Sequence, residues 1–150
     1  MEKDPQPNKW VNNWVLGFMF DHSYDYVMLV KKKKPAWQAG RWNGVGGSIE
    51  EGEMPDEAMR REFMEEIGVP CYRIRETVKM LGPFGFLHIF RGSYSGNELA
   101  MQDNNCGEEE WKAWPTFDLP ENVISNLRWL IPIQLSELVW PLVIVENEIP

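Results

Sequence analysis

Cysteine is scarce in this chain, positive charge is in deficit and long apolar runs are missing, and each shortage removes a class of function. Cys71 and Cys106 are the two cysteines among 150 residues, and they form neither a CxxC pair nor a metal-ligand spacing. A disulfide framework or a cysteine-built zinc site is therefore not expected, and two free thiols in a reducing cytoplasm are. No apolar run approaches the ~20 residues of a membrane-spanning helix. Residues 1–9 are polar and contain Pro5 and Pro7, which does not read as a signal peptide. With 15 basic against 23 acidic residues the net charge is −8, which argues against a general nucleic-acid or anionic-membrane surface. These absences lead us to expect a soluble cytoplasmic protein with no stable nucleic-acid partner and no membrane partner. They leave its oligomeric state open.

What the chain has in quantity is material for a core. Eight Trp, seven Phe and 43% hydrophobic residues can fill one domain of this length. There is no internal repeat and no linker, so one domain over 1–150 is expected, with residues 1–9 flexible.

The most informative stretch is 47–69, GSIEEGEMPDEAMRREFMEEIGV. Pro55 suits the first helical position and Asp56 and Glu57 suit the positive end of a helix dipole, while Gly68 suits its stop. At about 100° per residue, Glu62, Glu65 and Glu66 share one face of that helix, with Ala58 one turn earlier leaving room beside them. Such aligned carboxylates repel, so they either point into water or are held together by a cation. Arg61 borders them and can fix one by a bidentate pair. Met59, Phe63 and Ile67 recur on the adjoining arc and would seat the helix on a core. Carboxylate and carbonyl oxygens are the donors that hard divalent cations prefer, with positions left for substrate phosphates.

The pattern of Gly47, Glu53, Arg61-Glu62, Phe63, Glu65-Glu66, Gly68 and Val69 resembles the Nudix box without a departure. The resemblance implies an α/β/α sandwich with a mixed β-sheet between helices. It also implies metal-dependent hydrolysis of a pyrophosphate bond in a nucleoside diphosphate derivative, with Mg²⁺ as the metal and Mn²⁺ as the variant. Carried over residue by residue, Glu62, Glu65 and Glu66 would be metal ligands together with the Gly46 carbonyl, and Glu53 and Arg61 would orient them. A further acid outside the box completes the site in many members. Glu109 is the choice here, five residues before Trp114 in a similar loop-to-strand context, although Glu108 and Glu110 stand beside it. His88, in a predicted strand, reads as structural.

The segment upstream narrows the substrate. Gly40-Arg41-Trp42-Asn43-Gly44 is similar to that of the oxidised purine nucleoside triphosphatases related to MutT, which implies that Asn43 contacts a purine and Trp37 stacks on it. The alternative is that Trp37 packs on its loop and Asn43 turns the chain. Asn122 and Asn126 stand where that branch has paired acids, and Asn126 is preferred. The expected reaction is hydrolysis of a purine nucleoside triphosphate, including an oxidised one such as 8-oxo-dGTP, to a monophosphate and pyrophosphate. The alternatives are another nucleotide substrate (a nucleotide sugar, ADP-ribose, a dinucleoside polyphosphate or capped RNA) and a non-catalytic nucleotide-binding module.

Elsewhere, a hairpin is expected from strands 14–20 and 26–30 across Asp21-His22-Ser23. Lysines 31–34 end at Pro35 as a solvated strand end, unless one of them reaches a substrate phosphate. Residues 35–47 form a glycine-rich loop, strands follow at 72–81 and 86–94, a polar loop at 95–107 and a further strand from Glu108. Val123, Ile124, Leu127, Leu130 and Ile131 have helical spacing. Pro132 would kink or end that helix, or begin another reaching Leu138, and 142–145 is too short to classify.

Overall fold

The structure, a computed structural model, describes residues 12–82, 85–94, 107–137 and 141–146. Its elements run β1 (Asn12–Phe20), β2 (Tyr26–Lys31), β3 (Trp42–Asn43), β4 (Val45–Ser48), α1 (Pro55–Glu66), β5 (Ile74–Gly82), β6 (Gly85–Ser93), β7 (Glu110–Pro115), α2 (Leu127–Leu135) and β8 (Leu142–Val145). The strands form one mixed sheet in the order β3-β2-β1-β6-β5-β8, with β4 also pairing β1 and β7 also pairing β2. The β1–β6 and β5–β8 pairs are parallel.

Two cores lie on opposite faces of this sheet, because alternate residues of a strand point to opposite sides. Val15 and Met19 of β1 and Met28 and Val30 of β2 pack with Ala58, Met59, Phe63 and Ile67 of the α1 segment. Leu16, Phe18 and Phe20, with Val27 and Leu29, pack with Leu127, Leu130 and Ile131 of α2. The expected α/β/α sandwich is therefore the observed one. Gly17 permits the close approach of α1, since a Cβ there would lie 2.7 Å from Met59 Sδ and 2.8 Å from Phe63.

Helix α1 begins and ends where its sequence says it should. Pro55 occupies its first turn, and Gly68 at φ 80° closes it, its N–H donating to the Phe63 and Met64 carbonyls. Ala58, however, is fully buried against the core. It belongs to the core cluster with Met59 and Phe63.

Three other expectations change. The glycine-rich stretch is partly sheet, with Gly46 facing Leu16 and Gly47 facing Val15 across the β1–β4 pair. Val123 and Ile124 precede α2, where Val123 bridges Trp42, and Pro132 sits inside a helix that continues to Leu135. Their burial explains the helical spacing without helical backbone. Residues 142–145 form the strand β8 on β5. The loop expected at 95–107, apart from Gly107, lies outside the described residues, as do residues 1–9, Cys106 and Leu138.

Candidate active site

The acidic face of α1 lies against the end of β4. A Cβ on Gly47 would run into the Glu62 carboxylate, and one on Gly46 into the Val15 carbonyl. No side chain fits at either position without displacing an acid or a strand.

Arg61 is the hub of this face. Its Nε and Nη2 donate to the two Glu53 carboxylate oxygens at 2.8 and 2.9 Å, and Nη2 also donates to the Ser48 carbonyl at 2.9 Å. Nη1 donates to Glu62 Oε1 at 2.9 Å and approaches Glu65 Oε2 at 3.3 Å. One planar guanidinium thereby ties β4, the Glu53 turn and two helix carboxylates into a single arrangement. The hydrogen bonds from Arg61 hold the Glu53 carboxyl below its ordinary range. Glu62 moves the other way, because burial disfavours its ionised form more than Arg61 favours it.

Glu66 is held separately and more deeply. It is 5% exposed, its Oε1 accepts from Lys32 Nζ at 2.7 Å and its Oε2 accepts from the Gly46 amide at 3.0 Å. Burial pushes its carboxyl up to about 7, against the pull of the Lys32 ammonium. The structure thus brings the Gly46 backbone to Glu66 through its N–H. A buried pair of this kind stands only if both partners are satisfied, and here lysine, amide and carboxylate satisfy one another.

Glu109 joins the site through its backbone. The Glu108 and Glu109 amides donate to the Glu65 and Glu66 carbonyls at 2.9 and 3.0 Å, covering the open end of α1. The Glu109 side chain is buried at 4% exposure, and its Oε2 has no hydrogen-bond partner among the described residues. A buried carboxylate oxygen without a donor calls for a cation or a proton. The donor set of Glu62, Glu65, Glu66 and Glu109 is all oxygen and fits a hard divalent ion in its chemistry. Among the described residues no three acidic, histidine or cysteine side chains converge on one metal position. Arg61 holds Glu62 and Glu65 instead, and Lys32 holds Glu66.

The residues expected to meet a base sit on a different rim. Trp37 is 64% exposed in the loop before β3. Asn43 is buried, its Nδ2 donating to Gln38 Oε1 at 2.9 Å and its Oδ1 accepting from the Gly44 amide at 2.8 Å. Trp42 meets Trp114 edge to face at 5.3 Å and exchanges backbone hydrogen bonds with Asn122 and Ile124. Asn122 spends its Nδ2 on the Gly40 carbonyl at 2.9 Å. Asn126, at the start of α2, has a buried Oδ1 without a hydrogen-bond partner among the described residues.

The NUDIX domain family model matches residues 13–140. The chain belongs to the Nudix family. It is 34% identical over 86 residues to the oxidized purine nucleoside triphosphate hydrolase of Danio rerio, covering 51% of this chain and 53% of that protein. Over 104 residues it is 25% identical to the NAD-capped RNA hydrolase NudC of Chromobacterium violaceum, covering 66% of this chain and 39% of that protein. The chain thus spans about half or less of these relatives' length. The crystal structure of a MutT protein from Bacillus halodurans superposes with a TM-score of 0.66 at 17% identity, covering 91% of this chain and 88% of that one, a likeness of fold. Among the described residues no helix is long and apolar enough to cross a membrane.

One residue of this Nudix site escaped the sequence reading. Lys32 belongs to a lysine run expected to lie in solvent, yet it is 8% exposed and paired with Glu66. The signal was available in the alternation. Met28 and Val30 face α1, and the next residue of that parity is Lys32. Lys33, of opposite parity, donates instead to the Glu108 carbonyl. His88, expected to be structural, is half-buried and hydrogen-bonds Glu76 through Nδ1 at 2.7 Å.

Proposed function

We propose that this Nudix protein is a cytoplasmic, divalent-metal-dependent pyrophosphohydrolase whose substrate is a purine nucleoside triphosphate, oxidised purines included. The observation that carries the hydrolase reading is the Arg61 fork, which holds Glu53, Glu62 and Glu65 in one arrangement beside the buried Glu66. A Mg²⁺ or Mn²⁺ ion held by Glu62, Glu65, Glu66 and Glu109 with the Gly46 carbonyl would neutralise phosphate charge and acidify a bound water.

The protein's own residues then have separate tasks. Arg61 and Glu53 fix the direction of Glu62 and Glu65. Lys32 and the Gly46 amide keep Glu66 in place. Attack by water forms a new phosphorus–oxygen bond and breaks the bridging one, releasing a monophosphate and pyrophosphate. Glu109, whose Oε2 lacks a donor among the described residues, would complete the metal site or take the water's proton.

The purine reading is supported by the exposed Trp37 ring, a stacking face, and by Asn126 Oδ1, an acceptor awaiting a donor such as a purine N–H. A second reading, another nucleoside diphosphate derivative, is favoured by Asn43, whose amide is already engaged by Gln38 and Gly44. A metal-dependent hydrolysis screen over normal and oxidised nucleoside triphosphates, nucleotide sugars, ADP-ribose, dinucleoside polyphosphates and NAD-capped RNA decides between them. Pyrophosphate release from a purine triphosphate is the expected result. Turnover confined to the other substrates selects the second reading, and nucleotide binding without turnover under any metal overturns both.

A further inference from the structure

The loop over residues 33–40 is exposed except at Gln38, which is half-buried. The backbone of that residue accounts for the turn. Its amide donates to the Pro35 carbonyl at 2.9 Å and its carbonyl accepts from the Arg41 amide at 2.9 Å, so the chain reverses there without help from the side chain. The side chain nevertheless reaches Asn43, whose Nδ2 donates to Gln38 Oε1 at 2.9 Å. Gln38 therefore makes a bond that its loop does not require.

The direction of that bond follows from one backbone group. An amide side chain has an oxygen end and a nitrogen end of nearly the same shape, and its partners decide which is which. The Gly44 N–H can only donate, so it takes Asn43 Oδ1, at 2.8 Å. Asn43 then turns Nδ2 to Gln38, Gln38 answers with Oε1, and Nε2 becomes the far end of the pair. Both oxygens are engaged by protein donors. One Nδ2 hydrogen of Asn43 and both Nε2 hydrogens of Gln38 take no part in this pairing, so the pair offers a ligand hydrogen-bond donors.

We propose that Gln38 is a specificity-determining residue, and that this donor pair selects purines with an oxygen at C6, of the guanine and hypoxanthine type, over adenine. Such selection rests on the purine reading of the same rim and goes beyond it, since stacking on Trp37 is blind to the base. Guanine carries acceptors at O6 and N7, whereas adenine carries an acceptor at N7 and a donor at N6. Against the pair, O6 accepts a hydrogen bond. An adenine amino group meets a second donor instead, and both sides lose a bond. Guanine oxidised at C8 keeps its C6 oxygen and passes the same filter.

Calorimetry with nucleoside monophosphates reads this selection without turnover, because they have no pyrophosphate bond to break. With Mg²⁺ present, the full chain is expected to bind GMP and IMP about tenfold tighter than AMP. IMP lacks the 2-amino group, so its agreement with GMP isolates O6. Gln38→Glu keeps an acceptor for Asn43 and puts an oxygen in place of Nε2. Its added charge acts on all three nucleotides alike, and the IMP to AMP affinity ratio is expected to fall by about tenfold or more. Gln38→Met, of similar length but without the amide, is expected to bring that ratio near one. Equal affinity for AMP and IMP in the unmodified protein, a ratio unchanged in both variants, or no binding of any of the three overturns the proposal. Selective binding without pyrophosphate release from GTP or ITP upholds the proposal and removes the triphosphatase reading.

Discussion

The acidic face of α1 and the rim between Trp37 and Asn126 are finished to different degrees. At the acidic face both oxygens of Glu53 and of Glu66, and one of Glu62, have a donor already in hand from Arg61, Lys32 or a backbone amide. On the rim an indole stands in solvent and an amide oxygen is buried without a donor among the described residues. Groups that must act in a fixed geometry are tied down beforehand, whereas groups that recognise a ligand are left with unspent hydrogen bonds.

If that contrast is right, damage to α1 should reduce turnover and damage to the rim should reduce affinity. The largest loss is expected for Glu66→Gln or Glu65→Gln, roughly 10²- to 10⁴-fold in kcat with the fold retained by circular dichroism. Full turnover in both variants would remove the acidic face from the chemistry. Arg61→Ala should cost about 10- to 100-fold, and Arg61→Lys should not recover it, because an ammonium cannot make the two-pronged bond to Glu53. Lys32→Met should fall in the same 10- to 100-fold range and lower the melting temperature of the metal-free protein, since it strands a buried carboxylate. An unchanged melting temperature would mean that Glu66 does not need its lysine.

The shared face of Glu62, Glu65 and Glu66 with Arg61 at its border was legible in the sequence, since helical geometry fixes it, whereas the part of Glu53 came from the resemblance to the Nudix box. The hairpin and both ends of α1 were legible too, as turn and stop residues act on their immediate neighbours. Lys32 was hidden because its partner lies 34 positions away, and a run of four lysines masks the period-two signal that places one of them inside. The start of α2 was misjudged because Val123 and Ile124 are buried by Trp42, so tertiary packing imitated a helical period.

On the rim the expected effects are smaller. Trp37→Ala should raise KM about tenfold, the lower part of a stacking contribution of about 1–3 kcal/mol, with kcat unchanged. A matching fall in kcat would erase the distinction between the two regions. A further effect is on stability against pH. Burial raises the Glu66 carboxyl from 4.5 to about 7, so the folded state holds this proton more tightly than the unfolded one. Its contribution is complete below about 4.5 and is lost as pH climbs through about 7. Denaturant melts of metal-free protein across that window should show the decline, and Glu66→Gln should flatten it.

Gly47 offers a control that charge removal cannot. Because a methyl group there would occupy the space of the Glu62 carboxylate, Gly47→Ala displaces an acid while leaving every charge on the protein in place. The result is an electrostatically silent lesion. It separates the field of the acidic face, which governs how cations and phosphates approach, from the position of one oxygen pair within it.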